Sequence, residues 1–259
     1  MFSKADCKRV RALHQKKYRQ EQQLFLVEGS KMVAELCANA HQFPLKALYY
    51  QEAEAARFEA LLRTLPYPVE GALVTEAEMA QMTLLASPSP ALAVSGWPTP
   101  EPFVPHPDGL YLVLDGVRDP GNLGTILRIA DWFGLDGVVA SEDSVERFNP
   151  KTIQATMGAL FRVPIYYLDL VALLRDTDLP VYGTVLEGGQ SMYDIPLQPH
   201  GYIVMGSESH GIRPELLPLM KTRLFIPAHR PGSESLNVAV ATAVTCAAFR
   251  HPRVPSEPM

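Results

Sequence analysis

The sequence predicts an α/β protein of two domains, the second built on a parallel sheet. Three observations carry this. Short apolar runs alternate with helix-length segments along the whole chain. LYLVLD, residues 110–115, is apolar without alternation, as a strand buried on both faces of a sheet must be. Residues 96–109, GWPTPEPFVPHPDG, hold five prolines and no periodicity, which marks a stiff linker between the halves. With 259 residues, 47% of them hydrophobic, the chain is long enough for two cores.

The first domain is expected over 1–95. It opens with a basic helix near 5–18, then a strand at 24–28 and a helix from Ser30 to about Ala40. A strand at LKALYY (45–50), a helix over 51–63 and short strands near 70–74 and 91–95 complete it.

The second domain is expected over 110–251, with a tail at 252–259. After LYLVLD come a helix from about Asn122 to Phe133 and a strand at GVVAS (137–141). Asn149 caps a helix that has Pro150 at its first position and runs to Leu160. VPIYYL, PVYGTVL, GYIVMG and RLFIPA read as further strands. Pro214 opens a helix that Pro218 keeps short, and a long Ala- and Val-rich helix runs from about Leu236 to Arg250.

No apolar run reaches the roughly 18–20 residues of a membrane span, and the N-terminus lacks the apolar stretch of a signal peptide. Cys7, Cys37 and Cys246 form neither a disulfide framework nor a CxxC metal site, which points to a reducing cytoplasm. The net charge of −5 argues against a uniformly basic surface, but its distribution is uneven. Residues 1–20 carry seven basic residues against Asp6 alone, a net of +6, so the other 239 carry −11. Lys8, Arg9, Arg11, Lys16, Lys17 and Arg19 in that run are candidates for contact with a polyanion; a solvated helix face is the alternative.

Three polar turns follow strands: DPGNLGTILR (119–128), MGSESHGI (205–212) and IPAHRPGSESLN (226–237). Taken singly, each has a structural explanation. Asn122 could serve only as a helix cap, Arg128 could pair with Asp131, and Glu208 could be an exposed loop carboxylate. A nicotinamide fingerprint fails because Gly121 and Gly124 lack the third glycine spacing, and a phosphate loop fails because no Lys-Ser/Thr follows. A serine hydrolase built on Ser209 fails on Ser207, where a glycine is required, and on the absence of any Asp after residue 194. His210, His229 and His251 lack metal-ligand spacing, so no metal is expected.

In order along the chain, N-x-G-x-x-x-R, G-S-E-x-x-G-I and I-P…S-L-N-V-A-V-A resemble the SpoU (TrmH-like) RNA ribose methyltransferases of the SPOUT superfamily. Residues 16–36 also resemble the RNA-binding domain that often precedes that catalytic domain. The resemblance implies a SPOUT domain with a deep trefoil knot, an exception to the rule against threaded chains. It implies methyl transfer from S-adenosylmethionine to a ribose 2′-hydroxyl by a homodimer that associates through the C-terminal domain.

By the same resemblance Arg128, Asn122, Glu208, Ser235 and Asn237 form the catalytic set, and Gly206, Ile226 and Leu236 hold the cofactor. Arg128 would meet the RNA phosphate and the reacting ribose, either as base or as electrostatic stabiliser. A guanidinium resists deprotonation, which favours the second role. Two departures from the family pattern stand out: Ser209 and His210 replace a small or glycine-rich pair, and the loop 226–235 is longer, with Ala228 where Met is common. The N-terminal domain points to ribosomal RNA as substrate; a tRNA ribose methyltransferase or a non-catalytic RNA-binding protein are the alternatives.

Overall fold

The computed structural model describes residues 3–230 and 235–251. The tail 252–259 and part of the loop 226–235 lie outside them. The chain forms two units, one built from the chain up to Pro102 together with Glu146–Phe161, the other from Phe103–Val145 and the chain from Arg162 onward.

Unit one holds a four-stranded mixed sheet, β1 (Leu24–Glu28), β2 (Leu45–Tyr50), β3 (Glu70–Leu73) and β4 (Ala91–Gly96), in the order β1-β4-β2-β3. β4 runs antiparallel to both its neighbours, and β2 pairs parallel with β3. The expected basic helix is two helices, α1 (Lys4–Ala12) and α2 (Lys16–Gln22). α1 starts at a reciprocal Ser3–Asp6 capping box. It buries Cys7 and Val10, and Leu13 follows them, against Met79 and Met82 of α5 (Glu76–Met82) and the sheet residues Leu26, Tyr49, Leu92 and Val94. The sequence reading omitted α5, although Thr75 and Glu78 spell its capping box. α3 (Ser30–Ala38) and α4 (Ala55–Thr64), the latter preceded by a 3-10 turn at Glu52–Glu54, fill the two expected helical stretches.

Unit two holds a seven-stranded parallel sheet: β5 (Leu110–Asp115), β6 (Gly137–Ala140), β7 (Ile165–Tyr167), β8 (Val181–Thr184), β9 (Gln190–Ser191), β10 (Gly201–Gly206) and β11 (Thr222–Phe225). Its order is β7-β6-β5-β10-β8-β11-β9. Every residue of β5 is buried, which explains the unbroken apolar run: Tyr111 and Val113 enter one core while Leu110, Leu112 and Leu114 point the other way. α6 (Pro120–Trp132) follows β5. It begins two residues earlier than the sequence suggested because Asp119, not Asn122, is its cap and Pro120 its first residue.

After β6 the chain departs for unit one, a path the sequence reading did not foresee. There α7 (Pro150–Thr156) stops at Met157 and Gly158, both at positive φ, and a 3-10 turn covers Ala159–Phe161. Phe148 stacks on Phe25 at 4.3 Å and lies 5.1 Å from Trp97, while Phe161 meets Phe43 edge-on at 5.2 Å. The expected helix after Pro214 is only a 3-10 turn at Leu217–Leu219. α8 (Leu170–Arg175) was unforeseen, and α9 (Val238–Arg250) is the long final helix. Among the described residues no helix is long and apolar enough to cross a membrane. All three cysteines are buried; burial pushes the Cys37 thiol up to about 11 and that of Cys246 up to about 12.

Candidate active site

Parallel α/β sheets gather ligands beyond the C-terminal ends of their strands. In unit two the turns after β5, β10 and β11 occupy those positions. The helices α6 and α9 run side by side in one direction, and side chains tie them at both ends. At the C-terminal end, Arg250 donates from Nε to the Phe133 carbonyl at 3.0 Å and from Nη2 to that of Gly134 at 2.7 Å. At the N-terminal end, Asn237 caps α9, its Oδ1 accepting from the amides of Ala239 at 2.9 Å and Val240 at 3.3 Å.

That cap dictates the rest of the polar chain. With its oxygen engaged, Asn237 has only its Nδ2 to offer, and it donates to Oδ1 of Asn122 at 3.0 Å. Asn122 is then left with Nδ2, which donates to Oε1 of Glu208. A carboxylate is the group that can end such a chain, since it only accepts. The Asn122 backbone is fixed independently, its amide donating to Asp119 Oδ1 at 2.8 Å. Three segments far apart in sequence therefore meet at the N-terminal ends of two helices.

Glu208 rides on a tight turn. Ser207 and Gly211 exchange backbone hydrogen bonds of 3.0 Å, and the His210 amide donates to Ser207 Oγ at 3.2 Å. Gly211 has φ +65°, and a Cβ on Gly206 would lie 2.2 Å from the Gly211 carbonyl carbon, so the turn folds directly onto a strand end where only glycine fits. The turn is anchored to β5 by Asp115, which is 1% exposed and accepts from the Arg213 amide at 2.7 Å and its Nε at 2.6 Å.

Beside it lies a second polar group. The Gly116 amide donates to Ser141 Oγ at 2.9 Å, and Arg118 Nη2 donates to Asp143 Oδ2 at 2.9 Å. The Ser141 hydroxyl, then Arg118, hold the Asp143 carboxyl below its usual range, with Arg213 adding to the effect.

The structure thus brings Asn122, Glu208 and Asn237 together. Ser235 and Leu236 lead into the α9 cap, with Leu236 49% exposed, and Gly206 and half-buried Ile226 stand at the ends of β10 and β11. Arg128 is exposed on α6, and among the described residues no hydrogen bond joins it to the other three. It lies six positions after Asn122, about 240° around a helix of 3.6 residues per turn, so it faces another side. Ser209 Oγ lies 2.7 Å from His210 Nδ1, but this pair sits inside the closed turn and not on the strand-to-helix elbow that a serine nucleophile uses. Among the described residues no cluster of His, Cys, Asp and Glu could hold a metal.

In unit one Lys8, Arg9, Arg11, Lys16 and Lys17 are exposed, with Arg9 3.6 Å from Asp6 and Lys17 3.8 Å from Glu21. Arg19 must be withdrawn from the candidate phosphate contacts. It is 2% exposed, donates from Nη1 to the Leu13 carbonyl at 2.7 Å and pairs through Nη2 with Glu146, so its charge is spent inside the unit. Sequence reading missed Arg118, Asp143, Asp115 and Arg213; their one signal is position, at or after the C-terminal ends of β5, β6 and β10.

Residues 109–247 match the SpoU rRNA Methylase family, and residues 4–93 match the MRM3-like substrate binding domain. The 23S rRNA (guanosine(2553)-2′-O)-methyltransferase RlmP of Bacillus subtilis is 32% identical over 235 residues, 90% of each chain. A structure described as a putative RNA methyltransferase of the TrmH family from Porphyromonas gingivalis is 40% identical, covers 96% of this chain and 98% of its own, and superimposes with a TM-score of 0.83. An AdoMet-bound rRNA methyltransferase from Sinorhizobium meliloti is 28% identical, covers 96% of both chains and also gives 0.83.

Proposed function

The chain belongs to the SpoU rRNA methylase family, and from that premise we propose its activity: transfer of the methyl group of S-adenosylmethionine to a ribose 2′-hydroxyl of RNA, ribosomal RNA in particular. The observation that carries this reading is the polar chain Glu208–Asn122–Asn237, which joins all three motif segments at one end of the parallel sheet.

The residues present suit the cofactor. An adenosyl group needs an apolar slot with backbone groups at its edge. Leu236 and Ile226 offer the apolar surface, and Gly206 lets the main chain approach closely. S-adenosylmethionine supplies an electrophilic methyl group, so the protein has mainly to position the hydroxyl and stabilise the alkoxide that develops from it. Asn122, fixed through both its backbone and its amide, holds Glu208 in place and with it the turn that follows β10. Ser235 and Asn237 orient the ribose. Arg128, whose guanidinium is permanently charged, meets the RNA phosphate and the developing alkoxide, and a phosphate oxygen or solvent takes the proton.

The placement of Arg128 favours a homodimer formed through unit two. Arg128 shares the exposed side of α6 with Trp132, which is 84% exposed, while Val240 of the adjoining α9 is 50% exposed. An isologous contact there would cover the apolar side chains and carry Arg128 towards the partner's polar chain. The threading of the knot is supported by sheet order: β11 lies beyond β8, yet α9 returns to pack on α6 and β10. Unit one is read as the RNA-binding unit, with Lys8, Arg9, Arg11, Lys16 and Lys17 as phosphate contacts, and the cytoplasm as the site of action.

The test is to incubate the purified protein with labelled S-adenosylmethionine and unmodified ribosomal RNA, then digest and identify the nucleosides. A 2′-O-methylnucleoside is expected; label on a base, or no transfer, defeats the reading. Mapping 2′-O-methyl sites in cells with and without the protein identifies the nucleotide and separates ribosomal from transfer RNA.

A further inference from the structure

We propose that Arg118 is a phosphate-binding residue for the RNA, and that Asp143 occupies its guanidinium until a phosphodiester of the bound strand replaces it. The inference rests on the reading of this site as an RNA methyltransferase centre.

The position is the first observation. Arg118 lies in the short turn between β5 and α6, one residue before the Asp119 cap and four before Asn122. That turn touches the Glu208 turn: a methyl group on Gly116 would lie 3.7 Å from both Asp143 Oδ2 and Ser207 Cβ. The pair is therefore part of the rim of the candidate centre.

The second observation is how little of Arg118 is used. Its side chain is 73% exposed, and among the described residues its bond is the one from Nη2 to Asp143. A guanidinium has five N–H donors in a planar fork that suits a phosphate. Four remain open to an incoming oxyanion.

The third concerns what happens to Asp143 afterwards. Exchanging a partner is costly if it strands a charge. Asp143 is half exposed, and its carboxyl is held ionised first by the Ser141 hydroxyl and also by the charge of Arg213, neither of which leaves with Arg118. Arg213 itself is secured to buried Asp115. The carboxylates and guanidinia thus alternate, and only the outermost, Arg118, is free to swing outward. The same carboxylate that holds Arg118 in place also competes with RNA for it.

The test uses the full chain and unmodified in vitro transcribed large-subunit ribosomal RNA. Arg118→Ala should weaken RNA binding about tenfold and flatten the logarithmic salt dependence by about one unit, with the loss appearing in KM for RNA more than in kcat. Arg118→Lys should keep the salt slope and recover only part of the affinity, because a point charge cannot grip two oxygens. Asp143→Asn should tighten RNA binding about threefold, and should do nothing once Arg118 is Ala. Thermal melting confirms that each variant is folded. An unchanged salt slope in Arg118→Ala, or an Asp143→Asn effect that persists without Arg118, overturns the proposal while wild-type methylation leaves the general function standing. If the wild-type protein neither binds nor methylates this RNA, both fall.

Discussion

Asn237 donates to Asn122 across 3.0 Å, linking the first turns of two parallel helices that lie 115 residues apart in the chain. Because Asn237 also caps α9, its two roles can be separated. Asn237→Asp keeps a good cap but loses the donor and sets a carboxylate beside the Asn122 oxygen. Thermal stability should stay close to wild type, while kcat falls about 100-fold, as in the loss of one preorganised donor. Equal losses of stability and activity would argue that the contact only supports the fold.

Arg128→Ala should abolish transfer, with kcat down about 100- to 1,000-fold, while calorimetry finds S-adenosylmethionine binding little changed. If Arg128 acts in the partner's site, subunits carrying Arg128→Ala and subunits carrying Asn122→Ala should complement each other. Random mixing leaves about a quarter of the sites intact in an isologous dimer. Absence of recovery in mixed dimers would place Arg128 in its own subunit's centre.

The pairing of buried Arg19 with Glu146 changes what can be asked of the basic N-terminus. Truncating it would remove Val10, Leu13 and Arg19 from the core and report on folding. The clean experiment is Lys8→Gln, Arg11→Gln, Lys16→Gln and Lys17→Gln together, which should lower RNA affinity and the salt slope without changing the urea midpoint. By contrast Arg19→Ala should lower the urea midpoint, because it empties a buried site in the core and leaves the partly exposed Glu146 carboxylate without its partner.

Glu28 gives a pH dependence of known sign. Burial pushes its carboxyl above the usual range, against the Thr83 hydroxyl that donates to it and the charge of His14, which pull it down. The folded state therefore holds this proton more tightly than the unfolded chain does. Its contribution is complete at acid pH and is lost as pH rises through the raised value. Glu28→Gln, neutral throughout and still able to accept from Thr83, should melt higher than wild type at pH 7 and show no advantage at pH 4.

Much of this was legible in the sequence, because local rules and tertiary demands agreed there. The unbroken LYLVLD run announced a two-sided strand, and the three polar turns contain Asn122, Glu208 and Asn237, which the structure joins by hydrogen bonds. What escaped detection depends on partners distant in sequence. Nothing local marks Arg19 as different from Lys16 or Lys17; it is buried because Glu146 arrives from 127 residues away. Arg128 and Asn122 share a helix, and only the helical turn between them places them on different sides. The departure of residues 146–161 left no trace in composition, since Phe148 and Phe161 would fill any core equally well.

That departure has a consequence for how the chain can be divided. A domain boundary usually falls in one exposed linker that few contacts cross. Here unit one is completed by a stretch that lies inside the segment matching the SpoU family, so severing the chain at residue 102 would leave Phe25 without its stacking ring and Arg19 without its counter-ion. Swapping in a foreign N-terminal half would succeed only if the donor's residues equivalent to 146–161 travelled with it.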